Sequence, residues 1–421
     1  MTARRAASEP APDGELMVEP SGRAASLDPD RARRAPASTT LLASIARYAR
    51  SLYRLRRGNQ VALLRTGGET FPAMLAAIAG ARRTIVFETY IWEDDRTGRR
   101  FADALIERVG AGVEVRVIYD AVGGFGLGDE FVERMRASGV AIIEYHPVAP
   151  WRARFNLTRR DHRKILVVDD DVGFTGGINI GDEYATVAEG GHGWHDIHCE
   201  LRGPVVIDLA RLFRRLWIAE GGAPYPAPAE AAADASRAGT IAARVVDNNK
   251  RKRRGAIRKA YATAFAAARR TIWLENAYFL PDRGLRRVLY KAVARGVDVA
   301  VIVPGRNDVQ AVHYAGLYAY RRLLARGIKI YRWRGPMMHA KSAVVDGVWS
   351  CIGSYNLDSR SLRYNLEVVV EVIDDQFGAI MERQFADDLP RCDPYGLASW
   401  KEMPWWRRLL AWMAFRIRNW L

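Results

Sequence analysis

The sequence predicts an α/β fold that is built twice. Three observations carry this reading. An Ala-rich helical pattern runs straight into an apolar strand in "AMLAAIAGARRTIVFETYIW" (residues 73–92). The same unit returns as "AYATAFAAARRTIWLENAYF" (residues 260–279), with the pentapeptide A-R-R-T-I at 81–85 and again at 268–272. Helix–Gly–strand segments then recur in the same order: "LIERVGAGVEVRVIYD" (105–120) against "LYKAVARGVDVAVIVP" (289–304), and "RMRASGVAIIEY" (134–145) against "RLLARGIKIYRW" (322–333). Strands alternating with helices predict an α/β architecture. Duplication predicts an internal pseudo-dimer, with a site where the halves face each other.

The segments follow in chain order. Residues 1–40 are rich in Ala, Arg, Pro and Asp and lack an apolar stretch. They predict a disordered tail and no secretory signal. Residues 41–58 predict a basic amphipathic helix, with Leu41, Ile45, Tyr48, Leu52 and Leu55 on one face and Arg47, Arg50, Arg54, Arg56 and Arg57 adding charge. A membrane surface and the body of the protein are equal candidates for that apolar face. Residues 59–220 form the first half, 221–240 an Ala/Gly/Pro linker, and 241–392 the second half. Residues 393–421 are a Trp/Arg-rich amphipathic tail. Its segment 400–421 carries Trp400, Trp405, Trp406, Trp412 and Trp420 beside Arg407, Arg408, Arg416 and Arg418. That composition predicts a helix lying in a membrane interface, with packing back onto the domain as the alternative.

Composition narrows the classes. The chain has 421 residues and 49% hydrophobic content, enough for a real core. Lys and Arg number 64 against 48 Asp and Glu. The excess favours polyanionic partners, nucleic acid or anionic lipid, though part of it merely solvates helix faces. The run "KRKRR" (250–254) reads as a loop near anionic lipid. No uncharged apolar run reaches the roughly 18 residues of a membrane span. Cys199, Cys351 and Cys392 have neither disulfide-framework nor zinc spacing, so a reducing compartment is expected.

The chemistry lies in a fourth repeated segment, "RRDHRKILVVDDDVGFTGGIN" (159–179) against "MMHAKSAVVDGVWSCIGSYN" (337–356). From His162, Lys164 stands at +2, Asp169 at +7, Gly176 at +14 and Asn179 at +17; from His339, Lys341, Asp346, Gly353 and Asn356 stand at the same offsets. On a strand, residues two apart share a face, so each His projects with its Lys while Arg163 or Ala340 points away. Two imidazoles, two ammonium groups and the amides of Asn179 and Asn356 make a cationic pocket suited to a phosphate. One imidazole can attack phosphorus and the other can protonate the leaving oxygen. The ammonium groups and amides stabilise charge on the non-bridging oxygens. No carboxylate cluster is available to hold Mg²⁺, so a metal-independent phosphodiester reaction without a cofactor is expected. A reactive imidazole needs a partner on its second nitrogen. Asp196, in "GWHDIHCELRGP" (193–204), and Glu367, in "RYNLEVVVEV" (363–372), are candidates, each backing the His of the opposite half. Glu88 and Glu275 occupy equivalent strand positions, either near the site or as structural carboxylates. His195 and His198 stand close enough in sequence to Asp196 to lie near it, whereas His146, His192 and His313 are treated as structural.

H-x-K-x4-D-x6-G-[GS]-x-N, present twice, resembles the phospholipase D superfamily over residues 59 to 392. Together with "PWRARFN" (150–156), the first motif is similar to bacterial cardiolipin synthases without transmembrane helices. The resemblance implies two α/β/α sandwich domains facing each other and a phosphatidyl-histidine intermediate. It implies His162 as nucleophile and His339 as acid, with Lys164 and Lys341 beside them. It places Asp169 and Asp346 in the catalytic set, mainly in support. The first turn has Gly177 where the second has Ser354, so a needed hydroxyl would come from one half only.

The expected reaction converts two phosphatidylglycerol molecules to cardiolipin and glycerol. The expected setting is the anionic phospholipid surface of the cell inner membrane, bound peripherally and on the cytoplasmic side. The expected state is a monomer with an internal pseudo-twofold and no nucleic-acid partner. The alternatives are a phosphodiesterase or nuclease of the same superfamily and, from another class, a non-catalytic membrane-binding scaffold.

Overall fold

The computed structural model describes residues 41–49, 54–149, 151–152, 154–156, 158–228, 238–248 and 255–418. The expected tail 1–40, the KRKRR run and part of the 221–240 linker lie outside the described residues. In the first half, β1 (Arg56–Arg65) precedes α2 (Thr66–Ala79), β2 (Thr84–Thr89), α3 (Arg96–Gly110), β3 (Glu114–Asp120), α4 (Asp129–Ala137) and β4 (Ala141–Tyr145). Three antiparallel strands follow, β5 (Ile165–Val168), β6 (Val172–Gly176) and β7 (Ile197–Arg202), and then α5 (Val205–Ala219). The second half repeats this order with β8 (Ile241–Asp247), α6 (Ala256–Ala267), β9 (Thr271–Asn276), α7 (Arg283–Ala294), β10 (Asp298–Pro304), α8 (Gln310–Leu324) and β11 (Lys329–Trp333). It continues through β12 (Lys341–Val345), β13 (Trp349–Gly353), α9 (Ser359–Arg363), β14 (Val368–Ile373), α10 (Asp375–Asp388) and β15 (Cys392–Tyr395).

All fifteen strands join one sheet, in the order β15-β11-β10-β9-β12-β13-β14-β8-β1-β7-β6-β5-β2-β3-β4. From the central β8–β1 pair outward, the order reads as the same seven-strand series in both directions, with β15 added at the second-half edge. That is the pseudo-twofold written in strand connectivity. β2, β3 and β4 run parallel, as do β9, β10 and β11, whereas β5 and β12 return antiparallel beside β2 and β9. Both reactive segments therefore begin at the C-terminal ends of the parallel strands, where open α/β sheets bind ligands.

Unbroken burial along the central strands reflects helices on both faces of the sheet. Phe174 packs in a cluster with Phe71 of α2 and Phe101 of α3. A Cβ at its neighbour Gly173 would instead touch Leu209 and Val206 of α5. Adjacent strand residues point to opposite faces, so α2 and α3 cover one side and α5 the other.

Two expectations about the ends are corrected. The amphipathic helix expected over 41–58 is α1, Leu41–Tyr48, and Arg56, Arg57 and Gly58 belong to β1. Gly58, at φ +89°, sits where the β1–β8 register shifts, a conformation that a continued helix does not allow. The apolar face of α1 is taken by the protein body: Ile45 and Tyr48 are buried in the second-half core, and the Tyr48 hydroxyl donates to Asp346 Oδ2 at 2.7 Å. The helix expected over 400–421 is likewise not one continuous piece, and the tail before it is not all helical. The tail begins as β15 paired to β11, then forms α11 (Leu397–Glu402) and α12 (Trp405–Arg416), broken at Pro404. Ala411 and Phe415 of α12 are buried, and Phe415 packs on Tyr318 of α8 at 4.9 Å. Trp405, Trp406, Leu409, Leu410, Trp412, Met413 and Ile417 remain exposed.

Candidate active site

Each reactive segment is pinned by the other half before its strand begins. The His162 N–H donates to Leu366 O at 3.0 Å, and the His339 N–H donates to His195 O at 2.7 Å. These contacts flank short parallel bridges, Asp161 to Leu366 and His195 to Met338. The residue after each bridging partner is a carboxylate, Glu367 or Asp196. Bridge geometry thus delivers each carboxylate to the histidine of the opposite half. His162 Nδ1 lies 3.1 Å from Glu367 Oε2 and 3.1 Å from Ser354 O. His339 Nδ1 lies 2.8 Å from Asp196 Oδ2 and 3.1 Å from the Tyr184 hydroxyl. With Nδ1 held, Nε2 of each ring is the atom left for chemistry.

The lysines complete the centre. Lys164 Nζ donates to His162 O at 2.7 Å, and Lys341 Nζ donates to His339 O. All four side chains are buried, with His162 7% exposed and Lys341 1%. Burial lowers His162 well below the ordinary imidazole value, and Lys164, Lys341 and His339 push it the same way. Repulsion from both lysines and the second imidazole means that the two sets share one electrostatic neighbourhood. Burial also pulls Lys164 down to about 7 and Lys341 to about 8.

The two carboxylates differ. Burial pushes Glu367 up to about 7. Burial also pushes Asp196 up, but Lys341 and His339 overcome it and hold the group below the ordinary carboxylate value. The turn residues explain the difference in contact. A Cβ at Gly177 would stand 2.2 Å from Asp196 Oδ1, so glycine is what lets this carboxylate sit where it does. The second half has Ser354 there, and its hydroxyl donates to Glu367 Oε2.

The other expected residues divide. Asp169 and Asp346 are corrected out of the reaction centre. The four residues of β5 separate Asp169 from Lys164, five steps or about 16 Å at strand rise. Asp169 accepts the N–H groups of Arg82, Arg83 and Thr84, each at 2.8 Å. Asp346 accepts those of Arg269, Arg270 and Thr271 at 2.8, 2.7 and 2.9 Å. The repeated A-R-R-T-I pentapeptide is therefore the partner of the motif aspartate, and both belong to the far end of the sheet. Asn179 is buried behind the first motif: its Oδ1 accepts from the Ile91 N–H at 3.2 Å, and its Nδ2 donates to Tyr184 Oη at 2.8 Å, which in turn reaches His339 Nδ1. Asn356 is buried, and its Oδ1 has no partner among the described residues.

Glu88 is structural: its Oε1 lies 2.6 Å from Arg163 Nε, which also reaches Asp161 at 3.1 Å. Arg163 points away from the reactive face, as strand alternation requires. Glu275 accepts from Ser342 Oγ at 3.0 Å. His195 stacks on Trp333 and pairs with Asp388 at 2.8 Å. His195, Glu275 and Asp388 are the one described group whose donor atoms lie close enough for a metal ion. Burial depresses His198 to about 3, leaving it neutral.

An aromatic wall was not foreseen. Tyr90 lies edge-on to His162 at 4.9 Å, with Lys164 Nζ 5.2 Å from its ring centre. Tyr184, Trp194 and Tyr278 surround His339 at 5.8, 6.1 and 6.3 Å. None stands at a duplicated spacing. Tyr184 and Trp194 lie close in sequence to the first reactive segment and to Asp196, whereas Tyr90 and Tyr278 follow the two A-R-R-T-I strands one position out of register with each other.

Residues 74–191 and 261–389 match the family described as "Cardiolipin synthase, PLD-like domain", more than half of the chain. The chain belongs to this family. Cardiolipin synthase A of Pseudomonas aeruginosa is 35% identical over 338 residues, 79% of this chain and 68% of that protein. A cardiolipin synthase of Geobacillus thermodenitrificans is 32% identical over 353 residues, 84% of this chain and 70% of that protein. The crystal structure of a phosphatidylserine synthase from Haemophilus influenzae superposes with a TM-score of 0.65 at 16% identity, over 85% of this chain and 93% of that one, a likeness of fold.

Proposed function

We propose that this chain is a phosphatidyltransferase that converts two phosphatidylglycerol molecules to cardiolipin and glycerol through a phosphatidyl-histidine intermediate. Family membership supports the reaction class. The observation that carries the mechanism is the crossed pairing of each histidine with a carboxylate from the opposite half.

The electrostatics support different roles for the two rings. His162 is held neutral by burial and by three neighbouring cationic groups, with Nδ1 occupied and Nε2 available. A neutral imidazole is the nucleophile such a step needs. Burial and Lys341 lower His339 as well, but the ionised Asp196 on its Nδ1 opposes that shift, so His339 keeps a proton more readily than His162, which is lowered further. In the proposed sequence, His162 Nε2 attacks phosphorus and the P–O bond to glycerol breaks. The departing oxygen takes the proton from His339 Nε2. The glycerol hydroxyl of a second phosphatidylglycerol then returns a proton to His339 and attacks phosphorus, and the P–N bond to His162 breaks. Lys164 and Lys341 stabilise charge on the non-bridging oxygens without a metal. The aromatic wall of Tyr90, Tyr184, Trp194 and Tyr278 limits water at the intermediate, which favours transfer over hydrolysis.

The proposed location is the cytoplasmic face of the inner membrane, bound from one side. No helix among the described residues is long and apolar enough to cross a membrane, and net charge is +16. An anionic leaflet attracts such a surface. The test is incubation with labelled phosphatidylglycerol in the presence of a chelator. Cardiolipin and glycerol are expected. Phosphatidic acid as the sole product overturns transfer, and complete dependence on added metal overturns the lysine-only mechanism.

A further inference from the structure

A second cationic site lies on the outer helical face of the second half. Arg283, Arg286 and Arg287 of α7 converge with Arg322 of α8 and the following Arg326 on a hollow of about 500 Å³ floored by Tyr290. No described carboxylate forms an ion pair with any of these five guanidinium groups. The nearest acid along the chain, Asp282, is bound by Arg258 and by the Gly284 and Leu285 N–H groups. Arg286 donates to Pro281 O at 2.9 Å, Arg322 lies over Tyr318 and Phe415, and Arg326 lies over Tyr290. Burial and the like charges of Arg322 and Arg283 lower Arg286, and burial with Arg286 and Arg322 lowers Arg418 at the end of α12. Asp282 offsets part of the charge on Arg286, but cations gathered with no carboxylate paired to them repel one another, and an anion entering the hollow relieves that repulsion.

What stands beside the hollow decides the kind of anion. α12 packs along α8 and turns outward Trp405, Trp406, Leu409, Leu410, Trp412 and Met413, with Trp405 70% exposed. Arg407 and Arg416 lie over Trp406 and Trp412 at 5.1 and 5.8 Å. Tryptophan interleaved with arginine suits the interface between headgroups and acyl chains.

We propose that the α7–α8 arginine hollow binds the phosphate of an anionic phospholipid while α12 inserts its aromatic face, so that this surface docks the protein on an anionic membrane. The inference extends the proposed lipid chemistry, but its test reads binding alone and stands or falls independently of turnover.

The experiment is co-sedimentation of the full chain with vesicles of phosphatidylcholine alone or doped with phosphatidylglycerol. The triple variant Arg283→Gln/Arg287→Gln/Arg326→Gln is expected to lose affinity for anionic vesicles by about a hundredfold, roughly fivefold per charge. Its weaker binding to neutral vesicles, and its turnover of substrate presented in detergent micelles, stay at the parent level. The corresponding triple Lys variant retains anionic binding, and Arg287→Gln alone loses roughly fivefold, which covers a triple variant that fails to fold. Unchanged anionic binding, or an equal loss on neutral and anionic vesicles, overturns the proposal. Full displacement from vesicles by millimolar glycerol phosphate also overturns it, because the hollow then serves a soluble anion.

Discussion

The two halves contain the same reactive set but surround it differently. In the first, His162 faces Glu367, which burial pushes up to about 7 and which a serine hydroxyl also engages. In the second, His339 faces Asp196, which neighbouring cations hold ionised and which Gly177 leaves room for. Duplication supplied two equal imidazoles, and the partner carboxylates made them unequal. Assignment of nucleophile and acid therefore lives in the residues that differ between the copies rather than in those that repeat.

The largest effects come from the histidines themselves. His162→Ala and His339→Ala should each lower turnover of phosphatidylglycerol by more than about 10⁴-fold, since each removes a whole step rather than a stabilising contact. A scaffold without catalysis would show no difference, and product assays distinguish the two outcomes.

The lysines come next. Lys164→Gln and Lys341→Gln should each cost about 10² to 10³-fold in kcat, the scale of removing one preorganised donor. They also set the pH profile. Lys164 loses its proton near 7 and Lys341 near 8 in the free enzyme, and only the ammonium form stabilises the developing charge. kcat/KM should therefore fall as pH rises through that window. Lys164→Arg, charged throughout, should move the alkaline fall toward the Lys341 value, and an unmoved profile would remove Lys164 from the mechanism.

The carboxylates sharpen the contrast. Asp196→Asn should cost more activity than Glu367→Gln, because it removes an ionised partner whereas the second replaces a group already poised between protonated and ionised forms. Stability separates them further. Glu367 keeps its proton longer when folded than when unfolded, so its contribution falls as pH rises from about 4.5 to about 7 and stays reduced above. Glu367→Gln removes that loss, on the order of 3 kcal/mol. The melting-temperature difference, variant minus parent, should grow from pH 5 to pH 8.

The smallest effects on chemistry belong to Asp169 and Asp346. Replacing Asp346 by alanine strands three buried or half-buried N–H groups and should destabilise the fold by about 1 to 3 kcal/mol, whereas two of the three N–H groups on Asp169 are exposed and Asp169→Ala should fall at the low end of that range. Kcat measured well below the melting point should stay near the parent value. Asp346→Ala should be the more damaging of the two, because it also releases Tyr48 and with it α1.

The repeat was legible because duplication is visible as spacing, and spacing on strands dictates which side chains share a face. That was enough for the α/β fold, the two His/Lys pairs and the crossing of Asp196 and Glu367. The motif aspartates were misplaced because equal offsets say that two residues play equal roles, not where along the strand the chemistry sits. The aromatic wall was hidden because Tyr90, Tyr184, Trp194 and Tyr278 come from loops with no duplicated register. The helix at 41–58 ran too far because apolar spacing continues into β1, where Gly58 and pairing to β8 overrule it.

The central claim is that both imidazoles address one phosphorus atom, with His162 forming the bond. It is tested most directly with a phosphatidyl ester of p-nitrophenol, whose leaving group departs without a proton. In His339→Ala, nitrophenolate should be released in a single burst, and protein quenched with denaturant at alkaline pH, where the P–N bond survives, should carry one phosphatidyl group on the peptide containing His162. A phosphatidyl group on the peptide containing His339 in the His162→Ala variant, or no adduct in either variant, would contradict the account.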